Sequence, residues 1–212
     1  MQRSHIDRLL ARFDPYQGSG SERLPEPLAL AAGALAHDLT RVLAQTKGDA
    51  FESALHLFPL SHEQGGLTLE QWNAQGLWRY EYGDLAVGLL CFGEDIFGNQ
   101  FALRAGEVCR FEAETGSVVP MARDLEEWAR LILDDSALET GYPLGHAWQQ
   151  HNGALLPGKR LLPKLPFVLG GEYTLENLYA GDAVAGMRFR GNLAQQLRDL
   201  PDGAKVRLEI VD

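Results

Sequence analysis

Apolar positions near the start of the chain recur at helical spacing. Ile6, Leu9, Leu10 and Phe13 share one face, with Arg3, Arg8 and Arg12 mostly elsewhere on the wheel. This predicts a short helix docked on the body. The stretch DPYQGSGSER, residues 14–23, breaks the pattern and reads as a flexible connector. LPEPLALAAGALAHDLTRVLAQT predicts a helix starting near Pro27, because proline fits a first helical turn, where its missing N–H has no partner to lose. Lys47-Gly48-Asp49 ends it. FESALHLFP follows as a short apolar segment, and TLEQWNA predicts a further helix capped by Thr68.

From Leu77 the periodicity changes. WRYEYG, LAVGLLCFG, GNQFALRAG, EVCRFEAETG and SVVPMA are short runs rich in aromatic and β-branched residues, punctuated by glycine. They predict a meander of antiparallel strands, with AETG as a hairpin turn. Asp124 then caps DLEEWARLILDD, whose Leu125, Trp128, Ala129 and Ile132 line one face. LGHAWQQHNG predicts a short helix, LLPGKRLLPKLP a connector, and PFVLGGEYTLENLY a strand. DAVAGMRFRGNLAQQLRDL predicts a helix with Val184, Met187, Leu193 and Leu197 inward, and AKVRLEIV a closing strand. Helices and strands are segregated rather than alternating, which predicts an α+β fold.

Composition narrows the function classes. The 212 residues carry 19 Lys and Arg against 29 Asp and Glu, a formal net charge of −10. Neutralising phosphates needs a basic face, so a nucleic-acid partner is not expected. The charge suits a basic protein partner, and equally a merely soluble protein. No apolar core of a signal peptide follows the early arginine, and LALAAGALA and LAVGLLCF are too short to cross a bilayer, so no membrane association is expected and the location is expected to be cytoplasmic. Cys91 and Cys109 lack CxxC spacing and read as buried thiols, although neighbouring strands would let them pair.

Catalytic signatures are missing from the sequence. No G-x-G-x-x-G follows a strand, and neither a Walker A loop nor a G-x-S-x-G elbow occurs. His146 and His151 are five apart, whereas two helical zinc ligands on one face are four apart, and His56 and His62 have no cysteine or third histidine nearby. The acidic stretch FGEDIFGNQ fails as a calcium loop, because Phe97 falls where an oxygen ligand is required. Adjacent Glu94 and Asp95 point in different directions and cannot flank a glycosidic bond. The stretch therefore predicts a turn, bent at Gly93 and Gly98, with both acids solvated at its tip. Neither enzyme activity, metal nor cofactor is expected.

The order of segments resembles the SUKH superfamily, which includes the Smi/Knr-type cell-wall regulators and many bacterial immunity proteins. Leu24-Pro25 precedes the first large helix, and Lys47-Gly48 stands where an Asn-Gly is usual. FGEDIFGNQFAL, GEVCRFEAETGSVVPMA and DLEEWARLILDD then resemble the hallmark strand-turn-strand, the following hairpin and its helix. The resemblance covers Leu24 to Asp135 and divides the chain into an N-terminal helix and connector (1–23), a SUKH-like core (24–140) and a C-terminal extension packed on the same domain (141–212). It implies a twisted, mainly antiparallel central sheet with helices around it. It also implies a non-enzymatic immunity protein that neutralises a basic toxin domain, often a nuclease. A regulatory or scaffold adaptor is the alternative, and an enzyme using Asp84, Glu94, Asp95 or the histidines is a third. The acids expected on the partner face are Asp84, Glu94 and Asp95 around one strand turn, with Glu112 and Glu114 near the next.

Overall fold

The computed structural model describes residues 3–15, 23–64, 66–201 and 203–204. The predicted closing strand AKVRLEIV lies outside the described residues from 205 onward.

Helix α1 (His5–Leu10) is capped by the Ser4 hydroxyl, which accepts from Asp7 N, and buries Ile6 and Leu9. The next helical stretch is two helices where the pattern predicts one. Helix α2 (Glu26–Ala32) stops at Gly33, whose φ of +56° lies outside the helical region, and α3 (Ala36–Ala44) resumes after a 3₁₀ turn. Strand β1 (Asp14–Pro15) pairs with β2 (Thr46–Lys47) beside the main sheet.

That main sheet has six antiparallel strands in sequence order: β3 (Asp49–Ala50), β4 (Leu55–Leu57), β5 (Leu90–Asp95), β6 (Gln100–Arg104), β7 (Glu107–Phe111) and β8 (Val118–Ala122). Between β4 and β5 runs α4 (Leu69–Trp72), closed by a capping box in which Thr68 and Gln71 bond reciprocally. WRYEYG, predicted as a strand, is helical. It falls in a π-helical turn (Gln75–Arg79) and α5 (Tyr80–Tyr82), followed by a 3₁₀ turn over Gly83–Ala86. Trp78 and Tyr82 are four apart, so helical winding brings both rings onto Phe111, at 6.3 and 4.9 Å. Aromatic content suggested a strand, and the packing of those two rings decided otherwise.

Both faces of the sheet are covered. On one, Trp128 of α6 (Leu125–Asp134) meets Phe92 and Phe101 edge-on at 5.1 and 5.6 Å. On the other, Trp72, Trp78 and Tyr82 pack over Gln100 and Phe111. All six residues of β5 are consequently buried. Cys91 and Cys109 are free and buried, on β5 and β7 either side of Ala102.

After α6 come α7 (Ser136–Thr140) and α8 (Tyr142–Asn152). The supposed connector contains strand β9 (Lys159–Pro163), which pairs antiparallel with β10 (Leu178–Asp182). PFVLGGEYTLENLY is mainly turns and one 3₁₀ turn at Phe167–Leu169, entering a strand only at its last two residues. Helix α9 (Ala183–Leu197) buries Met187, Leu193 and, unexpectedly, Arg190. Gly191 lies so close to α5 that a Cβ would fall 2.8 Å from Tyr82, so glycine permits the contact. One hydrophobic core runs from Ile6 of α1 to Ala194 of α9, and a smaller one beneath β9–β10 gathers Ile96, Phe97, Trp148 and Leu161. Among the described residues no helix is long and apolar enough to cross a membrane.

Candidate functional site: two clefts beside the end of β5

Glu94 and Asp95 end β5 and turn their carboxylates to different partners. Neither is solvated, contrary to the expectation from the sequence: Glu94 is 2% and Asp95 4% exposed. Segments from the C-terminal third cover them.

Asp95 builds its own turn. Its Oδ1 accepts from Phe97 N and Asn99 N at 2.9 Å each, and its Oδ2 accepts from Asn99 Nδ2 at 2.9 Å. Burial holds its carboxyl above the usual range, although these donors and Arg110 oppose the shift. Asn99 Oδ1 in turn accepts from Ala113 N, clasping this turn to the β7–β8 hairpin that carries Glu112 and Glu114. Asp95, Glu112 and Glu114 thus belong to one cluster. Burial raises the half-buried Glu112 carboxyl, and the Asp95 and Glu114 charges add to the effect against Arg110.

Glu114 is 8% exposed; its Oε2 accepts from Val168 N at 2.8 Å, while its buried Oε1 has no partner among the described residues. Two cavities of about 300 and 340 Å³ share Glu114 and Arg190 as wall residues. One is bounded by Leu162, Tyr179 and Phe189, the other by Phe97, Phe167 and Tyr173. Phe167 and Tyr173 stack at 3.7 Å, and Phe97 sets its edge against both. The buried Arg190 guanidinium is spent on carbonyls: Nη1 donates to Phe97 O at 2.5 Å and Nε to Gly186 O at 3.1 Å. Arg110 is engaged by Glu139 at 2.5 Å. Around Glu114 the cleft therefore combines aromatic walls with a second carboxyl, Glu112, and one guanidinium, Arg190, that lacks an ion-pair partner among the described residues.

The second cleft is larger, about 560 Å³, and its charges are matched. Glu94 Oε1 accepts from Arg160 Nε at 2.6 Å, and both side chains are 3% exposed. Glu94 Oε2 accepts from Gln100 Nε2, whose Oε1 accepts from Trp72 Nε1. Arg160 Nη2 lies 4.0 Å from Asp49 Oδ1, which meets His56 Nδ1 at 2.6 Å. Burial alone would raise the Asp49 carboxyl, but the His56 hydrogen bond and the His56 and Arg160 charges bring it down to about 2. Asp49 and His56 are paired across β3–β4. The turn between them holds Phe51, Glu52 and Ser53 at φ of 51°, 51° and 68°, a left-handed run that non-glycine residues avoid. Helix α8 pins it: His146 Nδ1 sits 2.6 Å from Glu52 Oε2, and Gln149 Nε2 donates to Glu52 O at 2.7 Å.

The five acids are thus distributed rather than shared by one face. Glu112 and Glu114 line the first cleft, Asp95 is buried behind it through Asn99, and Glu94 lines the second. Asp84 stands apart, exposed and bonded through both oxygens to Arg198 at 2.7 and 3.0 Å. Sequence reasoning missed Arg160, Arg190, Asp49 and the aromatic walls. A signal for Arg190 existed: it falls three residues after Met187 and three before Leu193, on the inward phase of α9. Among the described residues no group of three or more His, Cys, Asp or Glu side chains could hold a metal ion.

The fold and clefts define an α+β protein with one six-stranded antiparallel sheet, backed by helices and overlaid by a two-stranded ribbon. No family model matches the chain, and no curated protein matches it. A solved structure, Atu4351 from Agrobacterium tumefaciens, is similar over 88% of each chain, with a TM-score of 0.57 and 16% identity. At that identity the likeness extends to the fold alone.

Proposed function

We propose that this chain is a non-enzymatic, cytoplasmic binding protein of the immunity type, related to the SUKH superfamily, which neutralises a basic toxin domain by receiving one of its cationic side chains beside Glu114. The observation that carries this reading is the unmatched Glu114 Oε1 in a cleft that Glu112 also lines. A buried carboxylate oxygen without a donor costs free energy that an incoming guanidinium or ammonium recovers. Around it Tyr173, Tyr179 and Phe189 are 60%, 44% and 52% exposed, a concentration of aromatic surface suited to both cation–π contact and partner burial. The net charge of −10 speeds approach of a basic partner. Asp84 joins only that long-range field, since Arg198 occupies it, and Glu94 leaves the partner face.

The test is titration of a candidate basic toxin domain with wild type, Glu114→Gln and Tyr173→Ala, at low and high salt. Each variant is expected to weaken binding by about tenfold or more, as for anchor residues generally. Unchanged affinities in both variants remove this cleft from the interface.

A further inference from the structure

The Glu94–Arg160 cavity adjoins one of the Glu114 cavities at Asp182 but has a design of its own. A fully buried ion pair is a poor way to stabilise a core, because apolar residues of similar volume usually serve as well or better. Here the pair forms the floor of a cavity of about 560 Å³, larger than either neighbour and within the range of small-molecule sites. Its walls are mainly apolar: Leu57, Phe58, Trp72 and Val184, with Phe58 and Trp72 stacked at 4.4 Å. Exposed Gly48 and Gly158 stand at its rim.

The polar groups at the floor have specific vacancies. Arg160 uses Nε on Glu94 and Nη1 on Lys159 O, leaving Nη2 with no acceptor within hydrogen-bond reach among the described residues. His56 uses Nδ1 on Asp49, so its Nε2 is the remaining ring nitrogen. With Nδ1–H donated to the Asp49 carboxylate, Nε2 is the imidazole nitrogen left to accept. One donor and one acceptor thus stand side by side, bridged by Asp49. Glu94, Asp49 and Asp182 line the cavity against Arg160, with Lys159 3.9 Å from Asp182, so carboxylates outnumber cationic groups at its wall. A carboxylate ligand would add to that excess, while an ammonium would meet carboxylates already bonded to Arg160 and His56.

We propose that this cavity binds a small uncharged molecule with an apolar, ring-sized body and an amide-type head. Its carbonyl accepts from Arg160 Nη2 and its N–H donates to His56 Nε2. The apolar body lies against Phe58 and Trp72. Glu94 and Asp49 hold the arginine and the histidine in place, which accounts for a buried ion pair at a cavity wall.

Benzamide, benzoate and benzylammonium share one ring and differ only in the head, so titrating each into the intact protein, followed by Trp fluorescence and protein NMR, isolates the chemistry. Benzamide is expected to bind with a low-millimolar Kd, about the strength that so few atoms allow, and at least about fivefold more tightly than the other two. Val184→Phe, which fills the cavity without touching a charge, should abolish the response. The paired change Glu94→Gln with Arg160→Met, which keeps the interior uncharged, should weaken benzamide about tenfold, the effect of losing one charged hydrogen bond. Absence of benzamide binding at about 20 mM, well above the expected Kd, overturns the proposal. Equal binding of all three heads, or undiminished binding in Val184→Phe, overturns it as well.

Discussion

Glu94 and Asp95 are consecutive and almost equally buried, yet they serve clefts of opposite electrostatic character. On the Glu94 side each of the two carboxylates has a side-chain partner, Arg160 at 2.6 Å from Glu94 and His56 at 2.6 Å from Asp49. On the Asp95 side three carboxyls cluster, Arg110 is engaged by Glu139, Arg190 donates to backbone carbonyls, and Glu114 Oε1 has no donor among the described residues. Burial therefore does not mark an acid as a binding group. What separates the clefts is whether the fold itself supplies the counter-charge. A matched cleft selects by shape and hydrogen bonding, and an unmatched one attracts a cation.

The largest disturbance should leave this contrast intact. Trp128 is fully buried beneath the sheet that supports both clefts, so Trp128→Ala is expected to cost about 3–5 kcal/mol in chemical denaturation. An unchanged midpoint would mean that α6 does not pack as described. Next in size, Arg160→Leu breaks the matched side alone. It strands Glu94 in the interior, at a cost of about 3 kcal/mol, and adding Glu94→Gln should restore most of the loss. If the single variant is no less stable than the double, Glu94 does not depend on Arg160.

The matched side also has a pH signature. The Asp49 carboxyl is depressed in the folded state, so its stabilisation is complete above its unfolded value near 3.8 and is lost as pH falls towards about 2. That difference corresponds to about 2 kcal/mol. Asp95 and Glu112 act in the opposite sense, since raised carboxyls favour the folded state as pH falls. Urea denaturation from about pH 6 to pH 2.5 should therefore show a shallower acid loss in Asp49→Asn than in wild type. Parallel curves would remove Asp49 from the acid response. The smallest stability effect belongs to the unmatched side. Glu114→Gln keeps an acceptor for Val168 N and relieves like-charge crowding, so its stability should stay within about 1 kcal/mol of wild type. A large loss in that variant would mean that Glu114 has a structural partner and would collapse the contrast.

Much of the fold was legible because its signals are local. Thr68 and Asp124 cap the helices that follow them, each accepting from a backbone N–H three residues on. Glycine and asparagine bend the turn between β5 and β6, and the apolar stripe of α6 names its buried face correctly. What the sequence by itself determined was therefore the α+β class, most helices, the β5–β8 meander and the acidic balance. The tertiary structure alone decided that Trp78 and Tyr82 belong to helical turns, because their common target, Phe111, lies far along the chain. It also decided which acids are buried and how each is matched. Arg160 reaches Glu94 across 66 positions, and Val168 reaches Glu114 across 54. Periodicity and capping act within a few residues, whereas desolvation and charge matching depend on whichever distant segment comes to lie on top.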